Sequence, residues 1–354
     1  MTATTLRPAP NQGSGSLPLR QRRLPGWVPY GLAVGVVAIA AVSRILGLGT
    51  VGATLLAALL YVVALTAVSA VYEGGRVARD RLATALVTAA FVAAVLPLFS
   101  VLGYTIVKGV AKLSPYFFLH SMRNVGPRDD TGGMYHAVIG TIEQVGLASL
   151  IAIPVGVLTA IYLVEYGRGR LATVVTFFVD VMTGVPSIVA GLFILAFWVL
   201  LLHRGFSGFA GSLALAILML PVVVRSCEEM LKLVPHELRE ASLALGVPRW
   251  KTILRIVLPT ALTGIVTGIM LAVARVTGET APLLLTVLGN DSINPNPFSG
   301  AQSAIPLFVY QENAKGLAFA TSRAWAAALT LIFIVLVLNL VARGIARWTS
   351  HVRS

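Results

Sequence analysis

Charge is what this sequence has least of. Only 12% of its 354 residues are Asp, Glu, Lys or Arg, about half of what a soluble domain carries, so the chain is not read as a soluble globular protein. Cysteine is nearly absent. Cys227 stands alone, which excludes an internal disulfide and a cysteine-based metal site, and it reads as a small apolar filler near a helix end. Strict apolar–polar alternation over about ten residues, the mark of a transmembrane barrel strand, is missing as well. So are the G-x-x-x-x-G-K-[ST] phosphate loop, the H-E-x-x-H metal pair and the G-x-S-x-G nucleophile elbow. The five histidines are scattered. No nucleotide site, metal site or cofactor is therefore expected, and no convergent catalytic set that would make the chain an enzyme.

What is present is apolar. Hydrophobic residues make up 57% of the chain and its mean hydropathy is +0.86. Several runs reach the roughly 20 residues that a helix needs to cross the hydrocarbon layer. The expected fold is all-α, a polytopic transmembrane helical bundle. Eight spans are read at about Val28–Leu46, Val51–Tyr72, Leu82–Val107, His136–Val164, Leu171–Leu202, Phe209–Arg225, Pro259–Leu288 and Ala320–Ala342. The stretch 1–26 is rich in Pro, Ser, Gly and Arg and reads as a disordered tail. It lacks the short apolar segment and small-residue cleavage site of a removable signal peptide. A second tail, 346–354, closes the chain.

The net charge of +13, from 27 Lys and Arg against 14 Asp and Glu, would raise nucleic acid as a partner in a soluble protein. Here the basic residues cluster at the ends of apolar runs, which points to topology and anionic lipid headgroups, not nucleic acid. Arg7, Arg20, Arg22 and Arg23, the Arg76/Arg79/Arg81 loop, the Arg168/Arg170 loop and the tail with Arg343, Arg347 and Arg353 fall on one face. By the positive-inside rule that face is cytoplasmic, with both termini on it.

The longest polar interruption, Pro235–Pro259, lies on the same face. Pro235 suits the first helical position, helix formers follow from Glu237 to Leu245, and Gly246 offers a left-handed C-cap. Pro248 stops that helix and starts another. This is a short, capped, charged helix lying on the membrane surface between two spans, a place where a partner could push.

Inside the spans, Arg275 and Glu279 are spaced i, i+4 and are expected on one helix face, about 24 Å along from Pro259 in the outer half of the bilayer. Each costs about 2.5–3.5 kcal/mol near a span centre, so the pair is expected to face protein or a water-filled path. Arg275 presents a planar fork suited to a tetrahedral oxyanion; the alternative is an ion pair tying helices together. A second polar cluster, Thr183–Ser187 around Pro186, either lines a path or is a packed kink with hydroxyls bonded to their own helix. Glu143 either belongs to the path or snorkels outward. Pro154 and Gly156 are expected to bend the fourth span. Gly31/Gly35 and Gly264/Gly268 fit the small-xxx-small packing pattern.

The polar interruption resembles a known family. Glu240-Ala241-Ser242, three residues, Gly246, nine residues, then Ile256-Val257-Leu258-Pro259 is similar to the EAA loop of ABC importer permeases, with Ser242 where the family has Ala. The resemblance implies a coupling helix, made by Glu240, Ala241, Ser242, Gly246, Ile256 and Pro259, that sits in a cleft of an ATPase subunit. The string Arg275-Val276-Thr277-Gly278-Glu279-Thr280 resembles the phosphate permeases of that class, as do Ile161–Tyr166, Gly184–Val189, Ala324–Leu329 and Leu338–Arg343. This implies a substrate pathway for inorganic phosphate with Arg275, Glu279, Thr280, Thr183 and Ser187 on it. The implied partners are a homologous PstC-like permease, PstB-like ATPase subunits, an extracytoplasmic PstS-like binding protein and the lipid bilayer. The family has six spans, so 82–345 is read as the MetI-like transmembrane domain, with the loop at 228–259, and 27–81 as two additional N-terminal spans. Three rival readings are a permease for phosphonate, sulfate or molybdate, a regulatory or scaffold membrane protein that transports nothing, and an ion-driven secondary transporter.

Overall fold

The computed structural model describes residues 24–351 apart from 46, 48 and 127. Most of the expected tails, up to residue 23 and from 352 on, lie outside the described residues. The chain divides into two compact units that meet in sequence between Val101 and Leu102. Among the described residues the secondary structure is helical, with two isolated β-bridges.

In the first unit α1 (Val28–Ile45) packs along α2 (Thr50–Tyr72), and α3 (Gly75–Val110) begins. The expected basic loop between the second and third spans shrinks to Glu73–Gly74, because Gly74 takes φ +94 and turns the chain at once. The Glu73 carboxylate organises this turn. It accepts from the Leu24 amide at 2.7 Å, the Ser69 hydroxyl at 2.8 Å and Arg81 at 2.9 Å. The Leu24 amide bond in the first place, then Ser69 and Arg81, holds its pKa below the usual carboxylate range, outweighing the opposing effect of burial. Gly35 has open space where close packing was expected, so the Gly31/Gly35 pattern is not a helix contact here.

The second unit is built around α5 (Tyr135–Ile161) and α8 (Gly208–Lys232). Small residues on α5, among them Ala148, Ala152, Gly156 and Ala160, face Leu215, Met219, Val223 and Cys227 of α8 in one buried cluster. A Cβ on Gly156 would stand 2.7 Å from a Val223 methyl carbon, so the backbones approach as closely as glycine permits. α5 runs through Pro154 without a break and continues as a π-helical turn, Tyr162–Tyr166. α8 extends two turns beyond the expected end at Arg225. Arg225, Glu228 and Lys232 pair at i, i+3 and i, i+4, which supports a charged helix end.

The expected fifth span is not straight. α6 (Arg170–Gly184) and α7 (Ser187–Ile194, continued by a π-helical turn to Leu201) meet at an angle of 106°. Pro186 lacks the amide that would continue α6, and the residue before it is pushed to extended geometry. The pair nevertheless makes one crossing. At one end Gln144 of α5 and Gly208 of α8 both meet Gln302. At the other, Glu165 past α5 and Leu231 near the end of α8 both bond Arg239. α5 and α8 therefore run parallel, and the segment between them must return the chain across. Seven long helices plus this bent pair give the eight spans.

After α8 come the surface helix α9 (His236–Ala244), the short α10 (Arg249–Thr252), a π-helical turn (Ile253–Val257) and α11 (Leu258–Thr277). α12 (Ala281–Thr286), α13 (Ile305–Ala314) and α14 (Ala318–His351) complete the chain. α4 (Pro115–Leu119) is a single turn capped by Ser114, and Phe117 packs with Met134, Phe308 and Ala326 in a second buried cluster.

Candidate functional site

The surface helix forms as its residues dictate. α9 starts directly after Pro235, and Gly246 takes φ +76 just past its end, a conformation open to glycine without strain. Val247 returns its amide to Ser242 O at 3.2 Å and Pro248 leads α10. Glu240, Ala241 and Gly246 are exposed, while Ile256 and Pro259 are half-buried where the chain enters α11. Ser242 is buried, and its hydroxyl meets that of Thr252 at 2.8 Å. An alanine there could not make that bond, so the one departure from the EAA pattern ties α9 to α10.

Arg275 and Glu279 do not share a helix face. Pro282 removes the amide that would bond Gly278, and the helix closes early through Gly278 N to Arg275 O at 3.2 Å and Glu279 N to Val276 O at 3.1 Å. Arg275 thus lies in the last turn of α11, and Glu279 and Thr280 lie in the break before α12. No ion pair joins them among the described residues. Arg275 is exposed and shares a face with exposed Thr260, Thr267 and Leu271.

The depth of Arg275 follows from helix register. Gly264 sits against Met230 and Gly268 against Ser226, a close helix contact of the kind the Gly264/Gly268 pattern led one to expect, and the order of the pairs makes α11 antiparallel to α8. Two further turns bring Arg275 level with Met219, about 16 Å from Gly208 along α8. That is near the middle of a 25-residue helix.

Thr183 is exposed near the end of α6, and its hydroxyl bonds back to Val179 O at 2.9 Å. Ser187 is half-buried at the first position of α7. α7 packs on α12, with Gly191 against the Pro282 backbone. The two breaks at Val185–Pro186 and Gly278–Thr280 are thereby brought to one region of the bundle, each followed by a short helix that packs on the other. Glu143 does not snorkel. It accepts a hydrogen bond from Gln302, whose side-chain oxygen takes one from Gln144 at 2.9 Å, and these bonds seat the loop after α12 onto α5.

Two charged clusters escaped the sequence reading. Arg225 of α8 bonds Asp180 of α6 as well as Glu228. Arg323 of α14, fully buried, bonds Glu312 of α13 at 2.7 Å and donates to the carbonyls of Asp129 and Thr131 at 2.7 and 3.1 Å. The signal was there, since Asp180 and Arg323 are ionisable residues inside apolar runs, but the partners are far apart in sequence or on another helix.

Breaks, buried charge and a surface helix between two spans define a multi-pass helical membrane protein of the permease type. A family model described as the binding-protein-dependent transport system inner membrane component matches residues 152–351. The phosphate transport system permease protein PstA 1 of Mycobacterium tuberculosis is 51% identical over 265 residues, covering 75% of this chain and 87% of the relative. The PstA proteins of Mycobacterium leprae and Pasteurella multocida are 48% and 42% identical, over 74% and 67% of this chain and 86% and 84% of theirs. A chain of a bacterial alginate ABC transporter, crystallised with its pentasaccharide-bound periplasmic protein, shares the fold, with TM-score 0.54 and 16% identity over 76% of this chain and 95% of that one. The chain belongs to the binding-protein-dependent inner-membrane components and, among them, to the PstA-type phosphate transport system permeases.

Proposed function

We propose that this chain is a permease subunit of an ATP-driven phosphate importer in a bacterial cell membrane, forming half of the translocation pathway. A homologous PstC-like permease would supply the other half, PstB-like subunits would hydrolyse ATP, and a PstS-like protein would deliver inorganic phosphate from outside. Both termini and α9 lie on the cytoplasmic side, where the loop charges are densest. α9 is the coupling helix: Glu240, Ala241 and Gly246 face the ATPase, and Ile256 and Pro259 carry its movement into α11. Arg275 binds the anion, with Glu279, Thr280, Thr183 and Ser187 near the two helix breaks along the same route.

One observation carries this reading. Arg275 stands in the last turn of α11, level with the middle of α8, exposed and without an ion pair among the described residues. Facing lipid there would cost about 2.5–3.5 kcal/mol, so the side chain is expected to meet a second subunit or an aqueous path. Arg, which stays charged without water and presents a planar fork, suits a tetrahedral oxyanion.

The test is phosphate uptake by proteoliposomes holding the full complex with Arg275→Gln. Uptake is expected to be abolished while membrane insertion, ATPase association and basal ATP hydrolysis persist. Unchanged uptake with the variant present would remove Arg275 from the pathway. Uptake of labelled sulfate or molybdate in place of phosphate would reassign the substrate.

A further inference from the structure

We propose that Arg239 and Glu165 form a second transmission joint, through which α9 moves α5 as well as α11. The inference rests on the reading of α9 as the coupling helix and adds a route to it.

Arg239 is a surface cation with several partners. Its Nε donates to one oxygen of Glu165 at 3.0 Å, and Nη2 lies 2.9 Å from the same oxygen in the ion pair. Nη2 also reaches Leu231 O at 2.8 Å, and Nη1 donates to Val234 O. The pair is largely withdrawn from water, with side chains 13% and 8% exposed, where a charge-assisted bond is worth more than at an open surface. Leu231 lies in the last turn of α8 and Val234 just past it, and the Leu231 carbonyl also takes the Val234 amide at 3.3 Å. A single guanidinium therefore grips the last turn of α8 and the last residues past α5 while standing on α9. Lysine could not do so, because one ammonium lacks the planar fork.

About one turn further along α9 a second attachment holds it, the buried Ser242–Thr252 hydroxyl contact that leads through α10 to α11. Glu165 lies within a π-helical turn, Tyr162–Tyr166, and Thr252 borders another, Ile253–Val257, the kind of irregular turn that recurs at functional positions. α9 thus bridges two groups of spans. α11 carries Arg275. α5 carries Glu143 and Gln144 at its far end, where they hold the loop after α12. A push relayed to α11 alone would shift the anion-facing helix without shifting that outer loop. The Arg239 joint supplies the second movement, and Arg239 and Glu165 are positioning residues.

The experiment uses the complete reconstituted transporter with Glu165→Gln, Arg239→Lys and the double variant. Phosphate taken up per ATP hydrolysed is expected to fall about tenfold in each single variant, an ordinary size for coupling between sites. ATPase co-purification and hydrolysis should stay near the wild-type level, and the double variant should be no worse than the worse single one. A merely structural role would lower uptake and hydrolysis in proportion, and that result would overturn the proposal, as would an unchanged ratio. Spin labels at exposed Leu158 of α5 and Leu245 beside α9 give a readout that does not need transport. The wild-type distance should stay narrow with and without trapped nucleotide, and broaden in Glu165→Gln. Equal widths would also refute the joint. Failure of the wild-type complex to import phosphate would instead count against the functional reading, leaving the label result to decide the joint.

Discussion

The Arg323–Glu312 pair makes a quantitative prediction. Both side chains are essentially withdrawn from solvent, at 0% and 1% exposure, and Arg323 also supplies the donors for the carbonyls of Asp129 and Thr131. Removing one member of such a pair leaves the other charge buried, at about 3–5 kcal/mol; Glu312 would keep only the partly exposed Lys315, a weak substitute. Replacing both by apolar residues of similar volume is close to neutral for the pair itself. What remains is the loss of two carbonyl bonds, about 1 kcal/mol each, and of the Lys315–Glu312 pair, whose lysine is partly exposed and which adds little. Arg323→Met and Glu312→Gln should therefore each destabilise by about 3–5 kcal/mol, and Arg323→Met with Glu312→Leu by only about 2 kcal/mol. In a unit of this size each kcal/mol lowers the melting temperature by about 2–4 °C. The single variants should thus melt about 6–20 °C lower and the double variant about 4–8 °C lower. Thermal unfolding of the detergent-solubilised full chain, followed by loss of the monodisperse chromatographic peak, measures this. A double variant as unstable as the two singles added together would refute the reasoning, since independent sites add and a paired site does not.

Two further outcomes follow from single contacts. Gly268 faces Ser226, whose Cβ would stand 2.5 Å from an added methyl, whereas Gly264 faces the flexible end of Met230. Gly268→Ala should therefore cost about 1–3 kcal/mol of thermal stability and Gly264→Ala less, because a thioether can swing aside; equal losses would contradict the register of α8 and α11. At the α2–α3 turn, the lowered Glu73 pKa means that its contribution is present above the ordinary carboxylate value near 4.3 and lost as pH falls through the lower folded value. Hydrogen-exchange protection of the Leu24 amide should decline with acid in the wild type and be weak at neutral pH in Glu73→Ala, and protection insensitive to both changes would remove Glu73 as its acceptor.

The features legible in the sequence were those whose cause is local. The eight apolar runs, the cap at Gly246 and the stop at Pro248 each depend on a few neighbouring residues, and the structure shows all of them. The breaks were half legible. Pro186 and Pro282 stand in the sequence, but a proline in a span can bend it, pass through it or end it, and packing decides which. Pro154 lies in an unbroken α5, whose small residues seat firmly on α8, whereas Pro186 ends α6 with a turn of 106°. The i, i+4 spacing of Arg275 and Glu279 misled because it presumes a helix that continues, and Pro282, three residues beyond Glu279, already forbids it. The cross-helix ion pairs were illegible for another reason. Glu165 lies 74 residues from Arg239, and no periodicity connects them.

The charges inside this chain fall into two kinds, and the difference bears on what the molecule does. Asp180 and Arg225, Glu165 and Arg239, and Glu312 and Arg323 are each matched within the chain. Their fields are nearly closed before any partner arrives, so they can hold helices together but have little left to offer a passing anion. Arg275 is the opposite case, exposed on α11 with no ion pair among the described residues. A polar stripe of Thr260 and Thr267 shares its face, yet their hydroxyls bond back to Ile256 O and Thr263 O, so they add oxygen surface without adding charge. An anion moving along that face would meet one strong attraction flanked by weak ones, a distribution that favours entry without making exit prohibitive. The proposed substrate contact at Arg275 rests on this contrast, with the paired arginines fitted to hold the helices around it.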